Sequence, residues 1–326
     1  MKTNGREVLY QSEPGSKPAI SIVMPLFNKG REVERAIRSV LAQTVDDYEL
    51  IVVNDGSTDK GPDTVAEKKD SRIRIIHQSN KGVSAARNRG IAEAKSHLIA
   101  FLDADDEWLP NFLEKIIRLR SAFPLCDVFA TKYLYCCSDG KTRAPTLRGI
   151  PKDPWEGVLA DYFLIASKSD PPLWTSAVAV TKKAITSVGG FPVGVSSGED
   201  LLTWARLALR YSIAYSSGPS AYFWFPNDVS ERPGRTPQTP DVVGDELGKL
   251  LNEASPRNRD GLAGYVSLWH KMRAVIFIEL GENQKALFEI GKSVSYSGMN
   301  FKLLLLKTIT KAPRSISKML LRLSKR

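Results

Sequence analysis

Two places in the chain gather carboxylates closely enough to do chemistry. In LIAFLDADDEW, Leu98 to Trp108, an apolar run ends in Asp103, Asp105 and Asp106, three acids within four residues. Like charges this close repel, and a folded chain seldom keeps them without a cation to face. Helix capping ahead of Pro110 would account for one of the acids but not for three. The second place is SSGEDLL, where Glu199 and Asp200 open an amphipathic stretch. A first-turn acid is favoured there by the helix dipole alone, so this pair has a structural use as well as a chemical one.

Elements of a regular kind must position these groups. The runs 19–25, 48–54, 72–78 and 97–103 read as buried strands. They alternate with helical patterns at 31–43, 82–95 and 110–123. Strand and helix alternating at this pitch imply parallel strands joined by right-handed crossovers. Functional loops then lie at the carboxyl ends of the strands, which puts MPLFN, NDGSTD, HQSNKG and DADDEW along one rim. Farther on, strands are expected near 126–137 and over 171–180, and a helix over 199–210. A turn-rich boundary follows at 226–241, and beyond it helices at 242–254, 262–280 and 283–295.

Composition narrows the classes. The 42% hydrophobic and 25% charged residues suit a folded protein. The polar N-terminus lacks the apolar core of a secretory signal, which reads as a cytoplasmic chain. Three cysteines, Cys126 and the adjacent Cys136 and Cys137, fit neither a disulfide framework nor a four-ligand zinc site. The net charge of +10 comes mostly from Tyr296–Arg326, which holds eight Lys or Arg and no acid, leaving +2 upstream. A nearly neutral body argues against nucleic acid as a partner. The basic, Leu-rich end, divided by Pro313, reads either as an anchor for an anionic membrane surface or as a helix packed on the domain.

The motifs SIVMPLFNKG, ELIVVNDGSTD, NKGVSAARNRGI, AFLDADDEW and VGGFPVGVSSGEDLLTWARLA, in this order across about 20–210, resemble the family 2 glycosyltransferases. The resemblance implies an inverting enzyme with a GT-A nucleotide-sugar-binding fold, α/β with a mostly parallel central sheet, followed here by a C-terminal helical extension. The implied domains are a segment 1–18, a catalytic domain 19–225 with donor half 19–125 and acceptor half 126–225, a boundary loop 226–241, and the extension 242–326. The implied cofactor is Mg²⁺ or Mn²⁺, which neutralises the diphosphate leaving group of the donor. Carried over residue by residue, Asp105 is the primary metal ligand and Asp103 a ribose or metal contact, with Asp106 a neighbour. Asp55 would hydrogen-bond the nucleobase or cap its own turn, with Asp59 serving the turn alone. Pro25 and Phe27 would line the base pocket. Lys81, Arg87 and Asn88 would face the diphosphate, with a salt bridge from Arg87 to Asp55 or Asp103 as the alternative.

Asp200 would be the catalytic base, with Glu199 as fallback. Arg232 and Arg235 are weak candidates to steady the leaving group, and Trp155 and Trp174 could stack on a sugar or belong to the core. The implied activity is transfer from a nucleotide sugar, uridine-linked, to a glycan or lipid-linked acceptor in cell-surface polysaccharide assembly, by a protein peripheral to the inner face of the cell membrane. The alternative is an inactive member of the same fold acting as a membrane-docked assembly partner.

Overall fold

The computed structural model describes residues 17–137, 139–225, 236–312, 317, 320 and 321. The first half alternates as expected: β1 (Ile20–Leu26), α1 (Val33–Leu41), β2 (Tyr48–Asp55), α2 (Gly61–Ala66), β3 (Ile73–Gln78), α3 (Val83–Glu93), β4 (Leu98–Phe101), β5 (Glu107–Trp108) and α4 (Phe112–Ala122). Then come β6 (Val128–Cys137), β7 (Thr142–Arg143), β8 (Glu156–Val158), α5 (Tyr162–Lys168), β9 (Val178–Thr181), α6 (Lys182–Ser187), α7 (Glu199–Arg210) and β10 (Ile213–Phe225). Four helices close the chain: α8 (Val242–Glu253), α9 (Pro256–Leu280), α10 (Asn283–Ser297) and α11 (Phe301–Ile309).

The strands form one sheet in the order β3-β2-β1-β4-β9-β6-β10-β5, with β7 on β6 and β8 on β10. The first four strands are mutually parallel, as are β6 and β10. Strand β9 enters antiparallel between β4 and β6, so the second half of the sheet is mixed. Strands β1, β2 and β4 are buried along their whole length, which explains their unbroken apolar sequence. Their side chains alternate between two cores. Ile22, Met24, Leu50, Val52 and Ala100 meet α1 and α4 on one face, whereas Val23, Ile51, Val53, Ile99 and Phe101 meet α3 and α7 on the other. Each fully buried aliphatic or aromatic side chain of this kind contributes about 1.5–3 kcal/mol. Gly90 lets α3 lie close on β1, because a Cβ there would fall 2.3 Å from Val23 Cγ1.

Two expectations need revision. The run 171–180 is a strand only from Val178; Pro171 and Pro172 have no N–H to give a ladder, and Thr175–Ala177 forms a 3₁₀ turn. The extension, read from sequence as a unit of its own, shares the sheet's core. Val243, Leu247, Leu250, Leu262, Tyr265, Val266 and Trp269 belong to the same cluster as Phe101 and Trp204. Only the far end, with Phe277, Ile290, Leu306 and Ile309, packs into a smaller core of its own. Residues 226–235 of the boundary loop, Arg232 and Arg235 among them, lie outside the described residues, as does Pro313.

Candidate active site

Parallel pairing brings the ends of β1, β2, β3 and β4 to one rim, and short polar side chains lace their loops together. Asn28 holds a left-handed backbone (φ 50°) and accepts from the Thr58 amide at 2.8 Å. Its own amide donates to Ser57 Oγ at 3.1 Å. Asp59 accepts from the Gly30 amide at 2.7 Å, so it joins two loops as well as serving its own turn. Asp55, buried at the end of β2, accepts from the amides of Lys81 and Gly82 (2.9 and 2.8 Å) and from Gln78 Nε2 at 2.7 Å. It therefore fixes the approach to α3, where the sequence offered a nucleobase contact or a cap on its own turn. Gly56 turns at φ 74° in a space where a Cβ would meet the Asn80 amide nitrogen at 2.8 Å. Phe27 is exposed on this rim, and Lys81 is exposed at the mouth of the next loop. Pro25 is buried within β1, opposite Val53, and lines the sheet instead of an open pocket.

The acidic turn divides its three carboxylates among different tasks. Asp106 is almost fully buried and accepts from Ser176 Oγ at 2.5 Å, Trp174 Nε1 at 3.0 Å and the Trp224 amide at 3.2 Å. Burial, then the neighbouring Asp105 and Asp103 charges, push its carboxyl well above the usual range. Asp106 thus ties the rim to the 3₁₀ turn and to β10. Trp174 serves that tie and stacks near Phe223, ring centroids 4.1 Å apart. Trp155 lies half-buried against the main core, with its ring close over Gly157. Asp105 is more than a third exposed and pairs with Lys29 Nζ at 2.7 Å. Asp103 takes an N–H from Arg87 Nη2 at 2.8 Å on its Oδ1. Burial raises its carboxyl despite the opposing pull of Arg87.

Arg87 resolves the alternative left open by the sequence. It is buried, with Nη2 on Asp103 and Nη1 on Glu199 Oε1 at 3.1 Å, its guanidinium 5.0 Å from the Phe191 ring centroid. It bridges the two acidic constellations from within, so it is not free to reach a diphosphate. The attraction of Asp103 and Glu199 outweighs the burial that would otherwise favour its neutral form. Asn88 is also turned to the protein: its amide donates to the Phe191 carbonyl at 2.7 Å and accepts from the Phe191 amide at 2.8 Å. That clip fixes the Gly189–Gly190–Phe191 turn, and it replaces the donor contact expected from sequence.

Glu199 and Asp200 begin α7 behind Gly198, whose φ of 84° starts the helix from a left-handed residue. Asp200 Oδ1 accepts from the Leu201 amide at 2.8 Å. Burial, reinforced by the Glu199 charge, raises the Asp200 carboxyl from its usual 3.8 to about 6. A carboxylate held there is a stronger proton acceptor than a free one and is still ionised near neutrality.

The chemistry of the acidic turn fits a hard divalent cation. Asp103 and Asp105 present oxygen donors on a rigid strand end, and a positive charge, the Lys29 ammonium, already sits against Asp105. Two carboxylates make a partial shell of the kind that substrate phosphates complete. Lys29, Ser176 and Trp224 were not identified from sequence. Lys29 was within reach of such reasoning, since it directly follows MPLFN, which was placed on the same rim. Ser176 and Trp224 lie 70 and 118 residues from Asp106 with no local signal.

Residues 21–158 match the family model described as Glycosyl transferase family 2. This segment, about two fifths of the chain, is what the chain shares with glycosyl transferase family 2. The matched segment contains the rim at the ends of β1, β2, β3 and β4 and ends before Glu199. The chain is 45% identical over 130 residues to an uncharacterized glycosyltransferase of Bacillus subtilis, EpsJ, covering 39% of this chain and 38% of that one. It is 36% identical over 124 residues to the glycosyltransferase GlyG of Streptococcus pneumoniae, covering 37% and 41% respectively. The chain spans about two fifths of the length of these curated relatives. Among solved structures, S. aureus TarS 1–349 in complex with UDP-GlcNAc is similar with a TM-score of 0.66 at 16% identity, over 92% of this chain and 87% of that one. The mannosyltransferase PcManGT of Pyrobaculum calidifontis, in complex with GDP-Man and Mn²⁺, is similar with a TM-score of 0.55 at 16% identity, over 97% and 88%. At such identity these structures support the fold, which here carries the family 2 rim and a helical extension.

Proposed function

We propose that this protein is a metal-dependent, inverting glycosyltransferase that moves a sugar from a uridine diphosphate sugar to a hydroxyl group of a glycan or lipid-linked acceptor, in cell-surface polysaccharide assembly. The observation that carries the proposal is the Arg87 bridge, which holds the acidic turn of the donor rim and the Glu199–Asp200 pair in one site. Asp105 and Asp103 would hold a divalent cation, which would supply positive charge to the diphosphate. Phe27 offers an apolar face at the rim, and exposed Lys81 adds a cation beside the helix α3 N-terminus, an arrangement suited to phosphate. Asp55 acts by holding that loop.

In the transfer step the acceptor oxygen attacks the anomeric carbon and forms the new glycosidic bond. The old bond to the diphosphate breaks, its electron pair leaving with the nucleotide. The acceptor's proton passes to Asp200, whose raised pKa suits it to receive that proton. Next to Asp200, a cavity of about 300 Å³ lined by Tyr162, Leu201, Tyr265, Trp269 and Met272 suits an acceptor with an apolar portion. Among the described residues no helix is long and apolar enough to cross a membrane. The membrane reading rests instead on α11, which buries Leu303 and places Leu306 and Ile309 in the small core yet exposes Phe301, Leu304, Lys302 and Lys307.

A panel of sugar nucleotides with Mn²⁺ tests the activity. The matching donor should raise the unfolding temperature and be hydrolysed slowly without acceptor. No response to any nucleotide, with or without metal, would sink the reading.

A further inference from the structure

A buried ionic cluster where the boundary loop meets the helical extension touches neither the acidic rim nor Arg87. Asp241, His270, Arg273 and Glu289 come together between α8, α9 and α10. Arg273 Nε lies 3.1 Å from Asp241 and 2.9 Å from Glu289, and His270 Nδ1 lies 2.7 Å from Glu289. Asp241, His270 and Glu289 could in isolation hold a metal ion, but Arg273 already answers both carboxylates from within the cluster. Two contacts leave the cluster toward the site. Asp241 accepts from Trp269 Nε1 at 3.1 Å, and the Trp269 six-membered ring lies against Gly198, where an added Cβ would be 2.5 Å from it. Arg273 donates to the Gln238 carbonyl at 3.1 Å. The Gln238 side chain in turn reaches the Ser196 amide at 3.3 Å and the Gly194 carbonyl at 3.2 Å.

Both contacts end on residues 194–198, the segment that launches α7. We infer that the helical extension is part of the transfer machinery, with Trp269 and Gln238 as positioning residues for Glu199 and Asp200. The inference rests on the assignment of Asp200 as the base. The physical argument is one of anchoring. Gly198 has a left-handed backbone and no side chain to hold it, so its place is set by what presses on it. Trp269 supplies that surface, and its own orientation is set by a carboxylate that Arg273 fixes in turn. A base displaced by about 1 Å can lose roughly a hundredfold in rate, so such anchoring carries a catalytic consequence.

The test uses the full chain with Trp269→Leu and, because Trp269 is buried, the milder Gln238→Ala on a half-buried side chain. Hydrogen–deuterium exchange should quicken by about tenfold in residues 194–204 for Trp269→Leu and by a smaller factor for Gln238→Ala, with residues 98–108 unchanged. With an active donor, kcat for transfer should fall by about tenfold to a hundredfold in Trp269→Leu while the donor KM stays within about twofold. Unaltered exchange in residues 194–204 in both variants would overturn the inference. So would exchange rising throughout the chain, or quickened exchange with an unchanged kcat. If the wild type transfers no sugar at all, the functional reading fails by itself, because exchange still reports whether the extension anchors this segment.

Discussion

Replacing Asp200 by Asn separates the two things this side chain does. The variant keeps the shape and an oxygen able to accept the Leu201 N–H, but it removes the charge. In the wild type the carboxyl is raised from 3.8 to about 6 by burial and by Glu199. A difference of about 2 units at ~1.36 kcal/mol each corresponds to about 3 kcal/mol for keeping this group ionised in the folded state. Because the folded value is the higher one, the wild type is least burdened below 3.8 and loses stability as the pH rises through about 6. Asp200→Asn should therefore be more stable than the wild type above about pH 6, by up to about 3 kcal/mol, with the gap closing below about pH 4. Thermal unfolding at several pH values reads this as an upward shift on the order of 5 °C near neutrality. Sugar transfer should be abolished in the same variant while nucleotide binding persists. A variant less stable at every pH, or one that still transfers sugar, would refute the placing of the base in an enclosed, charge-crowded position.

Lys29→Ala removes the cation that sits on Asp105, so the Mn²⁺ concentration giving half-maximal thermal shift or transfer should fall by about twofold to fivefold, the range set by an exposed ion pair. Unchanged or weaker Mn²⁺ binding would show that Lys29 does not compete with the ion. Phe301→Glu combined with Leu304→Glu alters only the exposed face of α11, and it should reduce co-sedimentation with vesicles rich in anionic lipid by about tenfold or more. Equal sedimentation of variant and wild type would refute membrane contact through this helix.

The first half of the fold was legible because parallel strands buried on both faces must be written as unbroken apolar runs. The Gly, Ser and Asp that follow such runs can only be turns at one rim. The positions of Asp103 and Asp105 at a strand end followed from that frame, whereas Asp200 was placed by the family resemblance. What each acid does there did not follow, because partners are chosen in three dimensions. Asp106 stands beside Asp105 in sequence, yet its oxygens are satisfied by Ser176, Trp174 and Trp224 from distant elements, whereas Asp105 looks outward to Lys29. Arg87 and Asn88 sit on consecutive positions of one helix and were read together. The helix turns Arg87 between two carboxylates and Asn88 toward the backbone of Phe191. Short helices were missed for a related reason. Lys182–Ser187 spans six residues, too few for a periodic pattern to declare itself, and it starts where the Thr181 hydroxyl accepts from the Ala184 amide.

The core shared between sheet and extension bears on what counts as the smallest working unit. Val243, Leu247, Leu262 and Val266 fill space between elements that lie far upstream of them. A chain cut after β10 would leave those spaces to water and strip the cover from the back of α7, just where Asp200 begins it. The first 225 residues hold Asp103, Asp105, Arg87, Glu199 and Asp200, but they are a surface without its backing. The helices beyond them are the far wall of the same room.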